Sequence, residues 1–168
     1  MIQIYTGNGK GKTTAALGMC LRALGQGYRV CIIQFMKKNH DCGEIKLLEN
    51  IPGVDLFQFG TAELVDPVNP AEVDFEEAGK AWIKSGEAIR SGRYDLIVLD
   101  EINVAVKWKL LSLEKQLRLL DIQTKSEIVM TGRYAAPEII ARADLVTEMK
   151  EIKHYFHCGI PARKGIEY

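Results

Sequence analysis

Short apolar runs alternate along the chain with longer stretches in which apolar positions recur every three or four residues. Ile2-Gln3-Ile4-Tyr5, Val30 to Phe35, Val54 to Phe59, Leu96 to Leu99, Ile128 to Met130 and Leu145 to Met149 read as six strands. A run such as Leu96-Ile97-Val98-Leu99, apolar at every position, fits a strand covered on both faces. Between the strands, Ala16, Leu17, Cys20, Leu21 and Leu24 share helical spacing, and Gly25 and Gly27 close that helix. Gly43 to Glu49 reads as a short helix. Phe75, Ala78, Trp82, Gly86 and Ile89 mark one face of a longer helix that stops near Gly92. Asn69 is placed to cap it, with Pro70 at its first position and Glu72 reaching back. Leu113, Leu117 and Leu120 predict a further helix and Ala136 to Arg142 a short one, while Gly60 to Val68 and the C-terminal end read as loops. Strands and helices alternating in this way predict an α/β domain built on a mostly parallel sheet of about six strands.

A length of 168 residues fits one domain over 1–168. The 22 basic and 22 acidic residues cancel, which argues against a protein that coats nucleic acid. No apolar run approaches the roughly 20 residues that span a bilayer, and no basic leader precedes the first strand, so a cytoplasmic protein without membrane attachment is expected. Cys20, Cys31, Cys42 and Cys158 form no closely spaced pair, and Cys20 and Cys31 read as small core residues. His40-Asp41-Cys42 and the His154 to Cys158 stretch match no structural zinc spacing.

Candidate chemistry is concentrated at Thr6-Gly7-Asn8-Gly9-Lys10-Gly11-Lys12-Thr13-Thr14, between the first strand and the first helix. Glycines allow backbone N–H groups to converge on a phosphate, and the following helix adds the positive end of its dipole. Lys12 supplies a point charge, and the Thr13 hydroxyl is positioned for magnesium. The loop is a variant, because Thr6 stands where the standard pattern has its first glycine. Lys10 reads equally as a phosphate ligand and as a solvated loop lysine. Asp100 and Glu101 end a buried strand, where P-loop proteins hold magnesium, and Arg133 follows the fifth strand at the same sheet edge as a candidate phosphate clamp.

With these residues in place, the whole chain resembles the P-loop corrinoid adenosyltransferases, which act on cobalamin and on cobyrinic acid a,c-diamide. The resemblance is carried by Thr6 to Thr14, Gln34-Phe35 with Lys37 and Gly43-Glu44, Leu99 to Asn103, Thr131-Gly132-Arg133, Ala143 to Met149, and the segment from Lys153-His154 to Tyr168. It implies a RecA-like, P-loop NTPase-like three-layer sandwich. It also implies a reaction in which a cobalt(I) corrinoid attacks C5′ of ATP and triphosphate leaves, with the triphosphate lying reversed relative to ordinary P-loop enzymes. On the same resemblance, Gly7, Asn8, Gly9, Lys10, Gly11, Lys12, Thr13 and Thr14 bind nucleotide and Asn8 touches the ribose, while Arg133 joins them as a nucleotide-binding candidate from its place at the sheet edge. Thr13, Glu101 and Asp100 hold Mg2+, and Lys12 and Glu101 are the catalytic candidates. Gly60, Thr61, Glu63 and Val65 are the candidate corrinoid contacts, although Gly60 to Pro67 lacks the aromatic pair of well-known cobalamin-using members. A homodimer and an electron-donor reductase are implied as partners. Two other readings stay open: a P-loop ATPase or small-molecule kinase acting at the γ-phosphate, and a nucleotide-binding regulatory module.

Overall fold

The computed structural model describes residues 1–38 and 42–168. Its strands are β1 (Ile2–Thr6), β2 (Val30–Gln34), β3 (Val54–Gln58), β4 (Leu96–Asp100), β5 (Glu127–Thr131) and β6 (Leu145–Glu148). They form one all-parallel sheet in the order β3-β2-β4-β5-β1-β6. The helices are α1 (Lys12–Leu24), α2 (Gly43–Leu48), α3 (Glu72–Ser91), α4 (Ile102–Lys107), α5 (Leu113–Leu120) and α6 (Pro137–Ile140), and a 3-10 turn covers Tyr155–Cys158.

Parallel strands need crossovers, and the helices that supply them cover both faces of the sheet, which is why the central strands are apolar throughout. Alternate residues serve opposite layers. Val30, Ile32, Leu96, Val98 and Val129 pack with Ala16, Leu17 and Cys20 of α1 and Leu48 of α2. Their neighbours Cys31, Ile33, Ile97, Leu99, Ile128 and Met130, with Ile4, pack under α3 to α6 through Ala78, Ile89, Ile102, Leu119 and Ile139. The result is the expected P-loop NTPase-like α/β sandwich. Gln34 of β2 lies opposite Asp100 of β4, and Tyr5 of β1 opposite Thr131 of β5, so the carboxyl ends of these strands are level. Side chains and loops that follow them therefore meet at one edge.

Three local expectations change. The long helix begins at Glu72 rather than Pro70, because the Asp74 carboxylate accepts the Ala71 N–H at 2.9 Å and closes the first turn there, leaving Asn69-Pro70 in the approach. Directly after Glu101 the chain enters α4, whose N-cap Glu101 makes no side-chain capping bond and is not one of the usual capping residues, so the sequence gave no start signal. Leu21, expected on the buried face of α1, is half exposed, so the apolar stripe of that helix is narrower than its spacing suggested. Among the described residues no helix is long and apolar enough to cross a membrane.

Candidate active site

The loop between β1 and α1 is shaped by close backbone approach. Gly9 donates its N–H to the Met149 carbonyl at 2.7 Å, at the exit of β6. A methyl group on Gly7 would fall 2.4 Å from that same oxygen, and one on Gly9 would fall 2.8 Å from it. Gly7 also has φ 92°, in the region that favours glycine. Lys12 folds over the loop and donates from Nζ to the carbonyls of Gly7 (2.8 Å) and Gly9 (2.7 Å). An ammonium has three N–H groups, so one is left for a ligand. Burial lowers the Lys12 pKa, with Glu101 pulling the other way.

Lys10 lies at the rim of the same cavity, but its ammonium is held by the C-terminal segment. It donates to Glu167 (2.7 Å), to the Tyr155 hydroxyl (2.9 Å) and to the Ile166 carbonyl (3.1 Å), and Tyr155 in turn donates to Glu167. Bonds to Glu167 and Tyr155 raise its pKa. The sequence left Lys10 between two roles, and the structure adds a third: it straps the C-terminal residues onto the phosphate loop.

Beneath the loop, Asp100 is fully buried and its carboxylate is surrounded by donors. Oδ1 accepts from the hydroxyls of Thr131 (2.6 Å) and Thr13 (2.9 Å), and Oδ2 accepts from Gln34 Nε2 (3.0 Å) and Lys37 Nζ (2.8 Å). Burial opposes the negative charge, yet Lys37 and the hydroxyl bonds outweigh it and hold the carboxyl below its usual range. Glu101 shows the opposite balance. Burial and the neighbouring Asp100 charge raise its pKa, against Lys37, whose ammonium is 3.8 Å from Glu101 Oε1. Glu101 faces the cavity, while its N–H donates to the Thr131 hydroxyl at 3.0 Å.

The cavity above these groups measures about 630 Å³. Gly9 to Thr14, Lys37, Glu101 and Arg133 form its polar side, and Leu64, Val65, Val104, Trp108 and Tyr134 its apolar side. Of the four non-glycine residues with positive φ among the described residues, Met36, Glu101 and Tyr134 line this cavity, just after β2, β4 and β5. Such conformations cost of order 1–3 kcal/mol each and concentrate at functional sites. Arg133 makes no ion pair with another described residue.

Sequence expectations are therefore distributed unevenly. Gly9 to Thr14, Glu101 and Arg133 are brought together. Asn8 is exposed, Asp100 lies beneath the cavity, and Gly7 backs onto β6. Of the candidate corrinoid residues only Val65 lines the cavity, with Leu64 beside it. Gly60 instead donates its N–H to Glu77 at 3.2 Å, and Thr61 turns back to the Glu63 carbonyl at 3.0 Å. Lys37, Trp108, Tyr134 and His154 are wall residues to which sequence reasoning gave no role. For Lys37 a signal existed, since a cation three residues after the buried Gln34 falls at the carboxyl edge of the sheet.

The oxygens of Thr13, Asp100 and Glu101 are hard donors of the kind that suit magnesium, which keeps water and phosphate as its other ligands. Among the described residues no three His, Cys, Asp or Glu side chains group together as a metal site. His40 and Asp41 lie outside the described residues.

The family described as ATP:corrinoid adenosyltransferase BtuR/CobO/CobP matches residues 1–168. A corrinoid adenosyltransferase of Pseudomonas aeruginosa is 36% identical over 171 residues, covering all of this chain and 83% of that protein. One from a Sinorhizobium species is 38% identical, covering all of this chain and 80% of that protein. The Escherichia coli K12 corrinoid adenosyltransferase is 35% identical, covering all of this chain and 85% of that protein.

The Asp100 cluster generates a stability prediction away from the cavity wall. Thr131→Val keeps the shape of the side chain but removes a donor to a buried carboxylate and an acceptor for the Glu101 N–H. The expected loss is about 2–4 kcal/mol in denaturant unfolding, the range for a bond to a charged group plus an orphaned donor. A loss of a few tenths would mean that water fills both roles.

Proposed function

The chain belongs to the ATP:corrinoid adenosyltransferase family, and on that premise we propose that it transfers the 5′-deoxyadenosyl group of ATP to the cobalt(I) of a reduced corrinoid, releasing triphosphate. The observation that carries this reading is the mixed lining of the cavity, which joins the glycine-rich loop to apolar residues that include two aromatic side chains. An ordinary phosphoryl-transfer site must place a nucleophile beside the γ-phosphate. A corrinoid needs instead a broad, poorly hydrated surface next to the nucleotide.

In this reading the backbone N–H groups of Lys10 to Thr14 at the start of α1 hold the triphosphate, and Lys12 contributes its remaining donor. Arg133 neutralises a further phosphate oxygen. Thr13 and Glu101, with Asp100 behind them, would hold magnesium, which when bound would supply positive charge beside the triphosphate. The cobalt(I) electron pair forms the new bond to C5′, the C5′–O bond breaks, and its electrons remain on the triphosphate oxygen. No proton is transferred, so the site needs no general base. Glu101 accordingly acts as a ligand and not as a base, and preorganised positive charge on the leaving group does the catalytic work.

The apolar wall takes over a task that the loop after β3 lacks the aromatics to perform. Trp108 and Tyr134 present ring surface, and Leu64, Val65 and Val104 extend it, so that a corrin face can be held out of water beside C5′. The homodimer, the reductase that delivers cobalt(I), and a cytoplasmic setting belong to the same reading and are carried by family membership alone.

Three outcomes are expected. With ATP, magnesium and chemically reduced cobalamin, phosphorus NMR should show triphosphate, matched one to one by a light-sensitive alkylcobalt product. ADP and orthophosphate formed at a rate indifferent to corrinoid would defeat the proposal. Lys12→Ala should lower kcat/KM for ATP at least tenfold, about 1.4 kcal/mol of transition-state stabilisation. Trp108→Ala should raise the KM for corrinoid severalfold and leave the KM for ATP within twofold. Equal shifts in both would remove Trp108 from the corrinoid side.

A further inference from the structure

Lys37 enters the site from the turn that follows β2. Met36, at φ 57°, reverses the chain, and the Lys37 N–H donates to the Phe59 carbonyl at 2.9 Å, which anchors the backbone on β3. The side chain then runs to the group of oxygens at the end of β4. Its ammonium is 2.8 Å from Asp100 Oδ2, 3.5 Å from Thr13 Oγ1 and 3.8 Å from Glu101 Oε1. These are the three residues assigned above to the divalent cation, and the ammonium stands among their oxygens.

The placement has a physical reason. Two adjacent carboxylates under a protein surface are costly without a cation, and the four donors around Asp100 include only one positive charge. Lys37 supplies it at a position where a second cation would meet charge repulsion and an occupied volume. The ammonium is also able to leave. About a third of the side chain is exposed, it forms part of the cavity wall, and Glu44 lies on the same wall as an alternative partner. Nearby carboxylates overcome burial and keep the lysine charged.

We propose that Lys37 is a resident countercharge occupying the divalent-cation position of the nucleotide-free protein, and that it yields this position only when metal arrives with the nucleotide triphosphate. The inference rests on the assignment of Thr13, Asp100 and Glu101 to the cation. Its consequence is ordered loading. Free metal ion does not compete successfully with a tethered ammonium, whereas a metal–ATP complex brings anionic oxygens that give the displaced lysine a new partner. Lys37 thereby acts as a positioning residue that couples metal entry to nucleotide entry, with no part in bond making.

Binding of Mn2+, followed by the EPR signal of the free ion, tests this without any turnover. In the absence of nucleotide, the wild type and Lys37→Arg should bind Mn2+ weakly. Lys37→Met and Lys37→Gln should bind it at least tenfold more tightly, and adding Glu101→Gln to either should abolish the gain. Two neutral variants are used so that a folding defect in one, seen by circular dichroism, leaves the other to decide. If the folded neutral variants bind Mn2+ no better than wild type, while Glu101→Gln still weakens Mn2+ binding in the presence of ATP, the countercharge is overturned and the cation assignment stands. If Glu101→Gln leaves Mn2+ binding with ATP unchanged, the cation assignment itself falls and the inference falls with it.

Discussion

The buried carboxylate of Asp100 is the constraint on which the rest of the site depends. A fully buried charge is tolerated only when every lone pair is met, and here the donors come from four different pieces of chain: Thr13 of α1, Gln34 of β2, Lys37 beyond β2, and Thr131 of β5. The sheet order makes this necessary. β5 stands between β4 and β1, so the strand carrying the acids and the strand feeding the phosphate loop do not touch. Their connection runs through side chains, with Thr131 bridging from the intervening strand and Thr13 reaching across from the start of α1. Level carboxyl ends, set by the register, bring those four donors within reach of one carboxylate.

Two chemistries share the cavity because its walls come from different layers of the fold. The polar side is made by groups at the carboxyl ends of the strands and by the start of α1. The apolar lining is made by Val104 of α4, Trp108 just beyond it, Leu64 and Val65 of the loop after β3, and Tyr134 after β5. Val65 and Trp108 pack against the core that also holds Ile102, Ala105 and Leu111, so this part of the apolar lining is an outward extension of the core under α3 to α6. The core thus positions the surface that the proposed function gives to the corrinoid, while the loop after β1 is braced by Met149 and, through Lys10, by Glu167.

What the sequence disclosed follows from what each feature demands of the backbone. The phosphate loop was legible because Gly7 and Gly9 have no room for a side chain, and because the Gly11-Lys12-Thr13 end must open a helix. Asp100 and Glu101 were legible because an apolar strand ending in two acids is costly anywhere except at a site. β2, β4 and β5 could be read from their runs for the same reason of burial, whereas β6 is exposed along its length and was read from its apolar residues alone. Lys37 and Tyr134 depend on turns that use non-glycine residues in the left-handed region, Met36 and Tyr134 itself, which no residue type announces. Trp108 is placed by α4, a helix whose N-cap is Glu101 in the same unusual conformation. The loop after β3 misled in the opposite direction. Its position pointed to the ligand edge, but hydrogen bonds within the loop and to Glu77 on α3 keep Gly60, Thr61 and Glu63 off the cavity wall.

The distribution of charge explains why a phosphate loop can serve a reaction at C5′. In γ-phosphoryl transfer, charge develops at the far end of the triphosphate, and a site gains most by concentrating cations there. Displacement at C5′ leaves the new electron pair on the oxygen nearest the ribose, and the whole triphosphate departs as one polyanion. Donors spread along its length are then more effective than a cluster at one end, because each stabilises the same leaving group. The present site has that form. Backbone N–H groups extend over the loop, Lys12 stands at its end, Arg133 faces it from β5, and the acids beneath are already balanced by Lys37 in the absence of ligand. On the proposed reading, the loop adds positive potential for the triphosphate, and the reacting carbon is left to the apolar lining of the cavity.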